Sequence, residues 1–367
     1  MLLQLFKTKI HSFINKIKYN NNFIFRLNKN LSTAPIIDNA IGIVFFYAKN
    51  FFLSITIRPK FSNQINYEKY IYKKNKFGLI IQGPINENLK FLIETLKIYK
   101  KIFKNVHVVV STWEDERKYS HYIKPYCDFI LFSKKPAISG PANINLQTTS
   151  VYNALNYLKK KRIKYSLKSR TDCRIHNPRS FLFLYNLLNT FPIKISFKKK
   201  VKNRILASSS YSCKYKLYGI TDILLFSTTE QLLKYFTKEY FNIGIKCIGV
   251  KNKSLIKKKT FALAESYLCA SYVNRVGLKL EWTFKNWEKI LKEIFCIFDA
   301  SSLDFYWDKY EKTFEQRRSI NYSFFDNRKI SFSDWLNIYH SKNDMINPKF
   351  QEKWKVYKKK IIKYSYF

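Results

Sequence analysis

The chain has 367 residues, enough to bury a full core as one large domain with appendages, and a content of 46% hydrophobic and 18% aromatic residues rules out a disordered polymer. Its 67 Lys and Arg against 25 Asp and Glu leave a formal charge of +42, a field that attracts nucleic acid, phosphorylated substrates and acidic lipid headgroups alike. Lys, Asn, Ile, Phe and Tyr are abundant together while Gly falls to 8, the pattern of an A/T-rich coding sequence, so the charge by itself selects no partner.

The first segment, 1–75, differs from the rest. Met1 to Asn30 alternates apolar and basic residues, as in Phe13-Ile14-Asn15-Lys16-Ile17-Lys18, and a helix would lay these out as an apolar face beside a cationic one. Such a helix rests on a membrane surface or packs on the body of the protein. Ala40 to Thr56 is apolar but interrupted by Lys49 and Asn50 and is short of the roughly 20 residues that a bilayer crossing needs. No apolar core with a small-residue cleavage site follows the N-terminal basic residues, so a secretory signal is not expected.

From Phe77 the pattern changes. Phe77 to Ile81 reads as a buried strand stopped by Gln82-Gly83-Pro84, and Leu89 to Ile102 has helical spacing. Val106 to Val110 is a second strand ending at Ser111-Thr112-Trp113 and the acidic trio Glu114-Asp115-Glu116, and Phe129 to Phe132 a third. Leu146 to Leu158 is helical and closes on Lys159-Lys160-Lys161-Arg162. The strand Tyr165 to Ser169 then runs into Arg170-Thr171-Asp172-Cys173-Arg174, and Asn177-Pro178 marks a stop and a helix start. Further on, Ile205 to Ser208 and Asp222 to Phe226 read as strands, Thr228 to Tyr235 as a helix capped by Thr228 or Thr229, and Leu263 to Tyr272 as a helix carrying Glu265. The remainder, 281–367, is aromatic, basic and read as helical, and is expected to pack on the sheet domain.

Strands separated by helices of this length predict an α/β fold, a mostly parallel sheet with helices on both faces. Three segments, Gln82-Gly83-Pro84, Ser111-Thr112-Trp113 and Arg170-Thr171-Asp172, then fall at the carboxyl ends of strands, where such sheets hold ligands. Arg-x-Asp-x-Arg on its own is commonly a surface ion-pair cluster; at a strand end it suits a charged ligand. Gly-x-Gly-x-x-Gly, the P-loop and the nucleophile elbow are absent. Six cysteines form no Cys-x-x-Cys pair and five histidines show no metal-ligand spacing, as expected of reduced interior thiols in a cytosolic protein. A diphosphate paired to a divalent cation by Asp172, with Arg170 or Arg174 forked onto phosphate oxygens, would satisfy the charges of this crevice.

In order, Ile81-Gln82-Gly83-Pro84-Ile85, Ser111-Thr112-Trp113, Asn143-Ile144-Asn145-Leu146-Gln147 and Leu167-Lys168-Ser169-Arg170-Thr171-Asp172-Cys173-Arg174 resemble the WavE family of lipopolysaccharide-synthesis proteins. The resemblance continues through Ser208-Ser209, Gly219-Ile220-Thr221-Asp222 and Ala264-Glu265-Ser266-Tyr267, covering residues 77 to 275 with a weaker echo toward Asn347. It implies a GT-A-like (Rossmann-like) glycosyltransferase that moves a sugar from a nucleotide-sugar to a lipopolysaccharide-core or other surface-polysaccharide or glycolipid acceptor at the cytoplasmic face of the membrane, with peripheral membrane contact and no nucleic-acid partner. The nucleotide-sugar domain would span 76–280, with 281–367 as an extension.

Carried over residue by residue, the resemblance puts Gln82, Gly83 and Pro84 against the nucleotide, Trp113 on its base, and the amides of Asn143, Asn145 and Gln147 on sugar hydroxyls. Asp172 takes the place of the metal-binding acid for Mn or Mg. Arg170 stands where the first acid of the usual Asp-x-Asp would be, and so replaces a cation or alters the site's need for one. The base for the acceptor hydroxyl is Asp222 or Glu265. Two other readings of the chain are a basic nucleic-acid-associated protein, disfavoured by the uniform scatter of Lys, and a non-catalytic protein of the membrane surface.

Overall fold

The computed structural model describes residues 58–66, 68–194, 200–237, 264–311, 329–342 and 345–346. The expected amphipathic N-terminal helix and the apolar stretch Ala40 to Thr56 lie outside the described residues, as do Trp354 and Cys247. Among the described residues no helix is long and apolar enough to cross a membrane.

A seven-stranded mixed sheet forms the centre. Its strands are β1 (Phe77–Gln82), β2 (His107–Trp113), β3 (Phe129–Ser133), β4 (Tyr165–Arg170), β6 (Ile205–Ser208), β7 (Leu225–Thr228) and β8 (Phe295–Phe298), while the short β5 (Cys173–Ile175) pairs elsewhere. Across the sheet the order is β8, β6, β7, β4, β1, β2, β3. Strands β4, β1, β2 and β3 run parallel, and β7 enters antiparallel between β4 and β6. The expectation of a mostly parallel α/β sheet is thus met.

Strands β1, β2 and β4 are buried along nearly their whole length while the edge strand β3 is partly exposed, and β1 accordingly reads as a continuous apolar run rather than an alternation. In β1, Phe77 points to one face and packs on Phe181 of helix α3 (Ser180–Thr190). The next residue, Gly78, points to the other. A Cβ there would lie 2.8 Å from Leu158 of helix α2 (Ile144–Lys160), so the absence of a side chain lets α2 sit close against the sheet. Helix α1 (Leu89–Ile102) buries Leu92, Leu96, Tyr99 and Ile102, spaced as an amphipathic helix requires. Helix α4 (Thr229–Tyr235) is capped as anticipated, the Thr228 hydroxyl accepting the Gln231 N–H at 3.3 Å.

Two outcomes differ from the sequence reading. The strand expected over Asp222 to Phe226 begins only at Leu225. Before it, Thr221 turns the chain by accepting the Ile223 N–H on its hydroxyl, which leaves Asp222 in a loop at the end of the sheet. The region from 281 onward also does more than pack on the sheet. Besides helices α6 (Phe284–Ile294) and α7 (Phe332–His340) it supplies β8, the edge strand beside β6, and β9 (Phe305–Trp307), which pairs antiparallel with β5. The physical reason is composition: Phe295-Cys296-Ile297-Phe298 is fully buried and apolar on both faces, which an edge strand covered by α7 and α6 satisfies. Trp287 and Trp335 are fully buried between these helices and the sheet, each with its indole N–H on a backbone carbonyl, of Lys214 and Leu291 respectively. Helix α5 (Ala264–Arg275) carries Glu265 on its first turn.

Candidate active site

Backbone register joins the strand ends. Gln82 lies beside Arg170 on one side and Ser111 on the other, and Trp113, two residues on, pairs with Ser133. Past the last paired residues the joining continues: the Thr171 N–H donates to the Gln82 carbonyl and the Gly83 N–H to the Ser111 carbonyl, both at 3.1 Å. Gly83 has φ +135°, and a Cβ there would lie 2.7 Å from the Thr171 hydroxyl. Both the dihedral and the space demand glycine. The loop that follows is held by Glu116, whose buried carboxylate accepts from the Ile85 N–H at 2.8 Å, the Asn86 N–H at 3.1 Å and the Thr112 hydroxyl. The expected convergence of Gln82, Trp113 and Asp172 at one end of the sheet is therefore observed. The buried Gln82 Oε1 and Ser169 hydroxyl at that end have no hydrogen-bond partner among the described residues, and buried polar atoms of this kind call for a partner such as water or a ligand.

Asp172 and Arg170 form a forked pair. The guanidinium Nε donates to Oδ1 at 2.8 Å and Nη2 to Oδ2 at 3.0 Å, while the Trp307 indole N–H, arriving from β9, donates to Oδ2 at 2.9 Å. The Asp308 N–H also caps the Asp172 carbonyl. Burial would raise the Asp172 carboxyl, but the hydrogen bonds and charge of Arg170, with the Trp307 N–H, outweigh it and hold the pKa below the ordinary carboxylate value. The Asp172 side chain is 5% exposed and that of Arg170 31%. Arg170 is therefore the partly exposed member of the pair and Asp172 the buried one.

That arrangement does not suit a divalent cation on Asp172. Both of its oxygens are engaged, its charge is balanced, and among the described residues no three His, Cys, Asp or Glu side chains converge as a metal-binding group. The reason lies in Arg170, which occupies the space and supplies the charge that a cation would otherwise provide.

Arg174, expected to flank the site from the far side, turns away from it. Its guanidinium donates to the Thr95 hydroxyl and to the carbonyls of Lys60 and Phe91, and it stacks over the Phe91 ring. Because β5 departs from the main sheet to pair with β9, the residue two past Asp172 no longer shares its surroundings. Trp113 is buried at the end of β2.

Asp222, by contrast, comes to the centre. Gln147 Nε2, from the first turn of α2, donates to its Oδ2 at 2.5 Å, and the Lys168 ammonium donates to its backbone carbonyl. Lys168 and Arg170 lie two apart on β4 and so project from the same face. Burial disfavours the Arg170 cation, but Asp172, with smaller contributions from Cys173 and Asp222, reverses this and raises its pKa. Lys168 has no exposed surface, and burial pushes its ammonium down to about 8 against the opposing pull of Asp222. No role attaches to Lys168 in the sequence reading, although a lysine in the middle of a strand whose neighbours are buried is a visible signal. Trp307 carries no such signal, since nothing in the chain links it to a residue so distant.

The remaining residues sort by exposure and partner. Asn143 is exposed at the left-handed entry to α2, φ 59°, and its side chain makes no cap. Asn145 is buried and braces the preceding loop by donating to the Ile138 carbonyl at 3.0 Å. Glu265 pairs with Lys216 at 3.0 Å. Cys127, Cys173, Cys269 and Cys296 are free thiols.

The chain matches the WavE lipopolysaccharide synthesis family over residues 77–365. It belongs to that family. No curated protein is a match. Among solved structures, mouse xyloside xylosyltransferase 1 in its apo form is similar at 8% identity and a TM-score of 0.33, over 62% of this chain and 85% of that one. A cytidylyltransferase from Leptospira borgpetersenii is similar at 14% identity and a TM-score of 0.31, over 72% and 93%. A glycosyltransferase involved in the glycosylation of the major capsid of PBCV-1 is similar at 11% identity and a TM-score of 0.24, over 43% and 61%. Likenesses this distant carry no weight for the chemistry of the present chain.

Proposed function

We propose that this WavE-family protein is a glycosyltransferase that moves a sugar from a nucleotide-sugar to a hydroxyl of a lipopolysaccharide-core or related surface-glycan acceptor. Beside membership of a lipopolysaccharide-synthesis family, one observation carries the reading. A guanidinium forked onto a buried carboxylate stands at the joined ends of β1 and β4, with a second carboxylate, Asp222, set beside it by Gln147.

The chemistry follows from the charges. Gln82, Gly83 and Pro84 bound the nucleotide side, where a glycine lets the backbone approach and the unsatisfied Gln82 Oε1 accepts from the ligand. Arg170 binds the diphosphate and stabilises the negative charge that grows on the departing oxygen. Asp172 and Trp307 hold that guanidinium in place. Asp222 takes the proton of the acceptor hydroxyl as its oxygen bonds to the anomeric carbon. The bond from that carbon to the phosphate oxygen breaks, and its electron pair leaves on the nucleoside diphosphate. Gln147 and Lys168 orient Asp222. Asp222 is favoured over Glu265 because Glu265 is already neutralised by Lys216. The basic, apolar N-terminal sequence would hold the enzyme at the membrane face where glycolipid acceptors are made.

Donor binding is the direct test. A ligand held only by the folded state raises the melting temperature, so UDP-, GDP-, CMP- and ADP-sugars are compared with and without Mn²⁺. One nucleotide class is expected to stabilise the wild type and not Arg170→Ala. A wild-type protein that no nucleotide-sugar stabilises at saturating concentration removes the proposal.

A further inference from the structure

Tyr211 is 41% exposed, yet its ring and its loop are held by contacts on two sides. It follows β6, which runs parallel to β4 on the far side of β7, so its loop leaves the sheet at the same end as Arg170. Its ring meets the Trp307 indole edge to face with centroids 5.3 Å apart. The Arg170 guanidinium stands 5.5 Å from the centre of that same indole, whose N–H holds Asp172. On its other side the Tyr211 loop is tied to the candidate base: the Ser212 hydroxyl accepts the Thr221 N–H at 3.2 Å, one residue before Asp222, and the Cys213 N–H donates to the Gly219 carbonyl at 2.9 Å. Tyr211 itself has φ +66°, a conformation uncommon for an aromatic residue, which the surrounding contacts must enforce.

An exposed ring is thus fixed between the guanidinium assembly and the loop of Asp222. The nucleotide side of the crevice lies across β4, at the ends of β1 and β2. What approaches from the Tyr211 side must be the group that presents its hydroxyl to Asp222. We infer that Tyr211 is a specificity residue for the acceptor, a platform on which the apolar face of a pyranose ring lies while its hydroxyl reaches Asp222. Aromatic faces suit such rings because they offer a large rigid contact at little loss of side-chain freedom. The inference rests on the transferase reading and extends it to the second substrate.

The test uses the full-length protein with the nucleotide-sugar that stabilises it and de-acylated lipopolysaccharide-core oligosaccharides as acceptors. Two variants are compared with the wild type. Tyr211→Phe keeps the ring, and Tyr211→Asn removes it while tolerating the positive φ. Transfer to the oligosaccharides, their binding by saturation-transfer NMR, and hydrolysis of the donor by water without acceptor are measured. Tyr211→Asn is expected to raise the acceptor KM roughly tenfold, the loss of about one stacked ring, and to leave donor hydrolysis and donor stabilisation unchanged; Tyr211→Phe should match the wild type. Acceptor KM unmoved in Tyr211→Asn overturns the inference. So does an equal fall in donor hydrolysis, which would make the ring a buttress of Trp307 and Arg170. A wild type that hydrolyses donor but neither binds nor glycosylates the oligosaccharides overturns it too. A wild type that turns over no donor fails the transferase reading itself, and that result is seen before any variant is made.

Discussion

Gln147 donates its side-chain amide to the Asp222 carboxylate across 2.5 Å although 75 residues separate them in the chain. The contact places an amide from the first turn of α2 on a loop that precedes β7, and it engages one of the two carboxylate oxygens of Asp222. If Asp222 is the base, Asp222→Asn keeps the shape and removes the proton acceptor. The expected result is loss of transfer by two to four orders of magnitude, roughly the worth of a positioned base, with donor binding retained. Gln147→Leu should lower kcat more than it raises either KM, and should lower stability by about 1 to 3 kcal/mol, the range for a lost hydrogen bond to a charged group. Steady-state kinetics and denaturant titration read both. Retention of full kcat in Asp222→Asn would transfer the role to Glu265.

The Arg170 and Asp172 pair predicts an asymmetry between variants. Asp172→Asn leaves the partly exposed Arg170 guanidinium without its counter-charge and is expected to destabilise, by less than the roughly 3 to 5 kcal/mol that breaking a fully buried pair costs. Arg170→Lys keeps the charge but loses the fork, so donor affinity should fall even where folding survives. Trp307→Phe removes a single N–H and should be the mildest of the three for stability. Melting curves with and without the stabilising nucleotide-sugar separate these cases.

Because Asp172 is saturated by Arg170 and Trp307, chelation should not matter. Transfer activity is expected to be the same after dialysis against EDTA as before it, and addition of Mn²⁺ or Mg²⁺ should not raise it. Activity lost to EDTA and restored by Mn²⁺ would mean that Asp172 exchanges its partners when donor binds.

Lys168 gives a pH dependence of stability with a definite sign. Its ammonium has an ordinary pKa of 10.5 and is pushed down to about 8 in the folded protein. Between those values the unfolded chain holds the proton and the folded chain does not, so stability rises with pH across the window. Below about 8 the buried charge is present in full and its penalty is fully felt; above 10.5 both states are neutral. The rise should approach about 3 kcal/mol. Lys168→Met should abolish this increment, so the difference in unfolding free energy between variant and wild type, measured by urea titration from pH 7 to 10.5, is the quantity to follow. A difference that does not change with pH would place the Lys168 charge outside the fold's energetics.

Gly83 and Glu116 together predict the fate of the first strand-end loop. Gly83→Ala combines a positive φ with a contact on the Thr171 side chain and is expected to destabilise by about 1 to 3 kcal/mol. Glu116→Ala leaves two backbone N–H groups of that loop without their acceptor at a comparable loss. Both should weaken donor stabilisation, since the loop bounds the nucleotide side. Unchanged donor binding in both would move the nucleotide elsewhere.

Much of the fold is legible in the chain because strands and helices are written in near neighbours. The run Phe77 to Ile81 is apolar without alternation and is a central parallel strand. The spacing of Leu92, Leu96 and Tyr99 is helical, and Thr228 is a cap with its hydroxyl on the expected amide. The carboxyl ends of β1, β2 and β4 converge because parallel neighbours place all their carboxyl ends at one edge of the sheet, so Gln82, Trp113 and Asp172, each at or just past its strand's end, could be grouped from order alone. Arg174 shows where this reasoning stops. It sits two residues beyond Asp172, but the chain leaves the main sheet at β5 and aims the guanidinium at Thr95 and Phe91.

By itself, then, the sequence determined the order of elements, the end of the sheet that carries the candidate site, and the family of lipopolysaccharide-synthesis proteins to which the chain belongs. Only the tertiary structure decided that Asp172 serves Arg170, that Trp307 reaches it from 135 residues away, that Lys168 is buried against Asp222, and that Tyr211 stands exposed between them. The reason is physical. Periodicity and capping arise from contacts within a turn or a strand, whereas the state of a charged side chain depends on which partners the folded chain brings within hydrogen-bond reach, and at this site those partners come from segments far apart in sequence.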